Sequence, residues 1–129
     1  MSQKTCIFCE IPERKAPSQI IQNFEHCYAI YDQFPVSQGH VLLIPHTHIE
    51  DWFAASAPVQ LGMVQALNSM KAFLDQKFSP DGYNIGANCG PVAGQTVFHL
   101  HMHLIPRYTG DMEDPRGGIR GVIPHKQKY

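Results

Sequence analysis

Three histidines stand at alternate positions in the five residues His99–His103, out of eight in the 129-residue chain. Histidine titrates near neutrality, so a dense group suits proton transfer, metal binding or nucleophilic work. The stretch Val97-Phe98-His99-Leu100-His101-Met102-His103-Leu104-Ile105 alternates imidazole and apolar residues from Phe98 to Leu104. On a strand, successive side chains point to opposite faces. The pattern predicts His99, His101 and His103 on one face, about 6–7 Å apart, and Phe98, Leu100, Met102 and Leu104 on a core face.

Such a row could hold a metal, although neighbouring ligands on one strand leave other coordination positions to be filled from elsewhere. A serine-type triad lacks its GxSxG elbow here. Alternatively, a neutral imidazole attacks through one nitrogen while the other donates the hydrogen bond that fixes its tautomer. His101 is then the nucleophile, with a histidine on each side to orient it and to meet phosphate or leaving-group oxygens.

A second chemical feature is Cys6-Ile7-Phe8-Cys9. The pair can be redox-active, although the usual βαβ setting is missing, or inert, or it can supply two thiolates to a tetrahedral zinc ion. Two histidines would complete such a site. Cys27 and Cys89 receive no role.

Composition narrows the setting. Hydrophobic residues make up 43% and charged residues 16%, with a formal charge of −1. Those values fit a globular domain and give no sustained attraction for nucleic acid or an anionic membrane surface. No apolar run approaches the roughly 18 residues of a spanning helix, and the opening MSQKTCIFCE does not read as a signal peptide. The expected location is cytoplasmic, where a disulfide framework is disfavoured.

The elements that must position these groups follow from the punctuation of the chain. One domain is expected over 1–129, with an N-terminal CxxC segment to residue 18 and an irregular tail over 106–129. Strands are predicted over Gln19–Asn23 and His26–Tyr31 around a turn at Phe24–Glu25, and His40–Pro45 reads as a buried strand. A short helix is expected within Ile49–Ala55, and a long one over Pro58–Phe78 with Pro58 at its first position. Its apolar stripe reads Leu61, Val64, Leu67, Met70 or Phe73, and Leu74. Tyr83–Asn88 reads as a strand, Cys89–Gln95 as a glycine-rich loop and Thr96–Ile105 as the longest strand. The fold class is α+β with a mainly antiparallel sheet. Neither GxGxxG nor GxxxxGK[ST] occurs.

The run from Gln95 to Arg107 resembles the His-φ-His-φ-His-φ-φ signature of the histidine triad (HIT) superfamily. Cys6–Cys9, Ala29–Asp32 with Pro35, Gly39–Pro45, Thr47–Ile49, and Asn88 before Ala93–Gln95 stand in that family's order. The tail Gly110-Asp111 through Pro115–Gly118 resembles bacterial members and the dinucleoside-polyphosphate hydrolase branch. The resemblance implies a HIT-like fold, a five-stranded sheet with one long and one short helix. It further implies a nucleotide-binding hydrolase that cleaves at the α-phosphate of an adenosine derivative, either a dinucleoside polyphosphate or a nucleoside phosphoramidate.

In that scheme His101 attacks phosphorus and forms a nucleotidyl-histidine, with His99 and His103 as supporting residues. Thr96 and His103 contact the phosphate, Gln95 the leaving group or phosphate, Asn88 the phosphate or ribose, and Asp32 the ribose hydroxyls. Arg107 and Arg116 either hold polyphosphate or are solvated surface. No catalytic cofactor is expected. The resemblance also implies Cys6, Cys9, His48 and His99 as ligands of a structural zinc, and a homodimer. A nucleotidyltransferase or phosphorylase using phosphate as acceptor, and a nucleotide-binding module with incidental turnover, are the alternatives.

Overall fold

Apolar runs bounded by turns give five strands: β1 (Ile20–Asn23), β2 (Cys27–Tyr31), β3 (Val41–Pro45), β4 (Gly82–Gly86) and β5 (Met102–Arg107). They form one antiparallel sheet in the order β1-β2-β3-β5-β4. The computed structural model describes residues 6–13 and 20–129. The expected strand start at Gln19, and residues 1–5 and 14–18 of the N-terminal segment, lie outside the described residues. Among the described residues two α-helices accompany the sheet, a single turn α1 (Ile7–Glu10) and the long α2 (Ala57–Phe78). The short helix expected within Ile49–Ala55 is a 3-10 turn at Trp52–Ala54, capped by the Asp51 carboxylate.

Both faces of the sheet centre are covered, which is why β3 is buried along its whole length. On one face Cys27, Ala29, Val41, Leu43 and Leu104 pack against Met63, Ala66, Met70 and Leu74 of α2. On the other, Tyr28, Ile30, Leu42 and Ile44 pack against Phe8 and Ile11 of the N-terminal segment. Burying side chains of this size contributes about 1.5–3 kcal/mol each. The site lies on this second face.

Two expectations about α2 are corrected. Pro58 occupies the second helical position, behind Ala57, and Ser56 is the N-cap, accepting from the Val59 N–H. The buried stripe is Met63, Ala66, Met70 and Leu74, whereas Leu61 and Val64 are exposed. Apolar residues occupy more than one face of this helix, so the spacing rule alone selects the wrong neighbour.

The third correction concerns the histidine segment. Regular pairing begins only at Met102, opposite Leu43, and continues through His103–Leu42 and Leu104–Val41. Before that the chain bends over Val97–His99, and the Leu100 N–H finds the Ile49 carbonyl at 2.7 Å. Two residues of β3 lie beyond the Leu43–Met102 pair, but Pro45 has no N–H and its carbonyl is taken by the His99 ring. Phe98, expected on the core face, is therefore exposed, while Leu100 and Leu104 are buried as expected. β5 also runs past Ile105 to Arg107 and includes Pro106, which lies beyond the last β3 pair and is paired with Tyr83 alone.

Candidate active site

His99, His101 and His103 share the Phe8 side of the sheet, with Phe8 against the first two and the rings of His101 and His103 5.4 Å apart, but each ring meets a different partner. His99 is buried, and its Nε2–H donates to the Pro45 carbonyl at 2.9 Å. That bond places the ring lone pair on Nδ1, which lies 3.4 Å from Cys6 Sγ and 3.5 Å from Cys9 Sγ. The Nδ1 of His48 lies 3.1 Å from Cys9 Sγ. The four ligand atoms all lie within 4.8 Å of one another. Cys6 and Cys9 reach this point because α1 is one turn long and Cys6 is its N-cap residue. Two thiols and two imidazoles with converging lone pairs are the donor set of a closed tetrahedral metal site. Burial, before all other causes, lowers the pKa of His99 to about 4, so its ring is neutral and open to a metal.

The next histidine points elsewhere. His101 Nδ1–H donates to the carbonyl of His99 at 2.8 Å, so its Nε2 carries the free lone pair. The Phe8 ring packs edge-on against both His101 and His99, with centroids 5.0 and 5.9 Å away.

His103 belongs to a second cluster that the sequence left incomplete. The Val36 N–H donates to His40 Nδ1 at 3.0 Å, which fixes the proton of neutral His40 on Nε2. That Nε2–H donates to His103 Nδ1 at 2.8 Å, leaving His103 with its own proton on Nε2. Asp32 Oδ2 lies 3.4 Å from His40 Nε2 and 3.9 Å from His103 Nδ1, while Oδ1 accepts from the Phe34 N–H. Burial lowers the pKa of both rings, to about 4 for His103, and the Asp32 charge opposes the shift in each. Asp32, His40 and His103 also converge within 4.8 Å. A metal there would have to remove the Nε2 proton while Val36 holds Nδ1, leaving an imidazolate. His40 and His103 form a hydrogen-bonded relay, with the Asp32 carboxylate beside it.

His101 and His103 open onto a cavity of about 340 Å³. Its apolar wall is Ile7, Phe8, Ile11, Ile30, Leu42 and Val97, and its polar residues include Asp32, Gln33, Asn88 and Thr96. Phe34 stands at the same cavity, 85% exposed. The sequence singled out Asp32, Asn88, Thr96, His101 and His103, and the fold brings all five to this cavity. It missed Ile7, Phe8 and Ile11, hidden in and beside the CxxC motif, and the relay role of His40. A histidine at the head of a run as apolar as His40–Pro45 was the available signal for that role.

Gln95 is placed differently. Its side-chain N–H groups donate to the carbonyls of Glu50 (2.7 Å) and Val97 (3.2 Å), and its Oε1 accepts from the Gly90 N–H (2.8 Å). The buried amide thus ties the loop to the segment after β3. Gly90 and Gly94 flank that loop's 3-10 turn with φ of +96° each, where a side chain would be strained. Arg107 is held by Asp111 through two bonds and by Asn84 through a third, and neither it nor Arg116 lines the cavity.

An antiparallel five-stranded sheet with one long helix, carrying His101 and His103 beside a Cys₂His₂ cluster, defines a histidine-based site next to a metal-type anchor. The HIT domain family model matches residues 13–110, and the chain belongs to that family. It is 33% identical to the adenosine 5'-monophosphoramidase HNT1 of Candida albicans, over 82% of this chain and 72% of that protein. It is 31% identical to the adenylylsulfatase HINT3 of Arabidopsis thaliana, over 84% of this chain and 55% of that one. Among solved structures it resembles a Zn-bound histidine triad family protein from Mycobacterium smegmatis. There the TM-score is 0.80 and the identity 34%, covering 87% of this chain and 81% of that one.

Proposed function

We propose that the chain binds an adenosine nucleotide derivative and hydrolyses it at the α-phosphate through a nucleotidyl-histidine on His101. The observation that carries this is the 2.8 Å bond from His101 Nδ1–H to the His99 carbonyl, which selects the tautomer whose lone pair is on Nε2, at a cavity suited to a nucleoside. The Nε2 lone pair attacks phosphorus and forms a P–N bond. The bond from phosphorus to the leaving group breaks, and its electron pair leaves with that group, which takes a proton. Water then displaces His101 and gives up a proton, so the net reaction splits water across the original bond.

His103, neutral and protonated on Nε2 by the His40 relay, donates to a phosphate oxygen, and Thr96 and Asn88 add polar contacts there. Such donors are worth most where charge develops in the transition state. Asp32 accepts from the ribose hydroxyls, and the apolar wall holds the base. Gln95, bonded to backbone on every side, is a positioning residue for the loop that presents Thr96.

Cys6, Cys9, His48 and His99 would hold a zinc ion whose four protein ligands leave no open position, so it supplies a structural cross-link. The Zn-bound structural neighbour supports the metal assignment by analogy, and the adenylylsulfatase and phosphoramidase relatives support the nucleotide reading. The proposal includes a cytoplasmic setting, which keeps the thiols reduced, and a homodimer. Ile85 on the edge strand β4 and Leu61 and Val64 on α2 are exposed apolar residues available for pairing. No helix among the described residues is long and apolar enough to cross a membrane.

The test is turnover of an adenosine 5'-phosphoramidate in ¹⁸O-water, with and without added phosphate. Labelled AMP formed alike in both identifies hydrolysis, and ADP formed with phosphate identifies a phosphorylase. Tight AMP binding with no turnover identifies a binding module and overturns the proposal.

A further inference from the structure

A second cavity, of about 650 Å³, adjoins the nucleotide cavity, and Ile7, Thr96 and Val97 line both. Glu50 and the exposed ring of Phe98 stand on its wall, whereas His101 lines only the first cavity. A phosphate held at Thr96 therefore sits where the two meet. In-line displacement expels the leaving group opposite the attacking nitrogen, and because His101 lines only the first cavity, the second is the space open to the displaced group. Among the described residues no lysine or arginine lines either cavity. Cys6 and His48, two of the four proposed zinc ligands, also line the second cavity and would form with the ion a set of zero net charge, which leaves the acids Asp32 and Glu50 as the charged side chains.

We propose that Glu50 makes this site select leaving groups by charge, favouring an amine that carries a cation over a neutral one and disfavouring anions. The inference rests on the nucleotide reading above and sharpens its substrate class. An alkyl chain bearing an ammonium lies along Phe98 with its charge toward Glu50. A dinucleoside tetraphosphate, whose displaced group is a polyanion, meets a carboxylate and no lysine or arginine among the described lining residues. A single exposed carboxylate changes relative rates by about three- to ten-fold at low salt.

The test compares kcat/KM for three adenosine 5'-phosphoramidates of matched length, bearing an aminohexyl, a hexyl or a carboxypentyl group. Each is measured on wild type, Glu50→Gln and Glu50→Lys, with thermal melts to show that the variants are folded. Wild type is expected to rank cation above neutral above anion, the extremes differing about twenty-fold. Glu50→Gln reduces that spread to about three-fold or less, and Glu50→Lys reverses its order. On wild type alone, the spread shrinks as salt rises from about 50 to 500 mM. A ranking indifferent to residue 50 and to salt overturns the role of Glu50 while leaving the hydrolase intact. Failure of wild type to cleave even the hexyl compound instead overturns the nucleotide reading, and the role of Glu50 falls with it.

Discussion

Two histidine clusters lie on either side of His101, and they are built from the same side chain for opposite purposes. In the first, the Pro45 carbonyl takes the Nε2–H of His99, so Nδ1 faces Cys6 and Cys9 with a lone pair. In the second, the Val36 N–H occupies Nδ1 of His40, so Nε2 must carry a proton and pass a hydrogen bond to His103. One backbone group decides in each case whether the imidazole can ligate or must donate. The difference teaches that a histidine's role is set by what meets its second nitrogen. His101, between them, takes its tautomer from the His99 carbonyl and its donor neighbour from the relay.

The comparison can be broken at its centre or on either side. His101→Ala should lower kcat by about 10⁴-fold while nucleotide binding, followed by calorimetry, changes by no more than a few-fold. On the relay side, His40→Asn should lower kcat about 100-fold with unchanged metal stoichiometry, since it removes the bond that orients a phosphate donor. On the thiolate side, Cys9→Ser should abolish metal uptake and lower Tm by about 8 °C, roughly 2 kcal/mol of stability. Activity measured below the new Tm should fall by less than about ten-fold, through KM, because α1 carries Ile7 and Phe8 of the cavity wall. If Cys9→Ser removes kcat instead, the two clusters do not divide the work.

The smallest effect is one of pH. His103 is held at about 4 in the fold against 6.5 for an ordinary histidine, chiefly by burial. The unfolded chain therefore takes up this proton first as pH falls. The contribution of His103 is fully present above pH ~6.5 and is lost between there and pH 4, at about 1–3 kcal/mol. Denaturant melts across that window should show the decline, and His103→Asn should reduce it, leaving the parts due to His40 and His99.

The strands through Pro45, the long helix and the residues Asp32, Asn88, Thr96, His101 and His103 were legible in the sequence because turn residues and an unusual histidine spacing mark them. The continuous strand over Thr96–Ile105 was not, although its alternation was regular. Alternation needs free backbone groups opposite to become a ladder, and Pro45 offers no N–H and gives its carbonyl to the His99 ring, so Leu100 bonds to Ile49 instead. The buried face of α2 was read correctly at Met70 and Leu74 but lost at its N-terminal half, since Leu61 and Val64 are as apolar as Met63 and Ala66. Only the position of the sheet separates them. The apolar wall at Ile7, Phe8 and Ile11 was masked because the cysteines around it attract the eye to metal chemistry.

The most direct measurement is intact-protein mass spectrometry after brief acid quench of wild type and His101→Ala mixed with an adenosine 5'-phosphoramidate. A transient adenylyl adduct on wild type, mapped to His101 and absent from the variant, is the predicted result. Turnover by wild type with no adduct at any time, and comparable turnover by His101→Ala, would contradict covalent catalysis by this histidine.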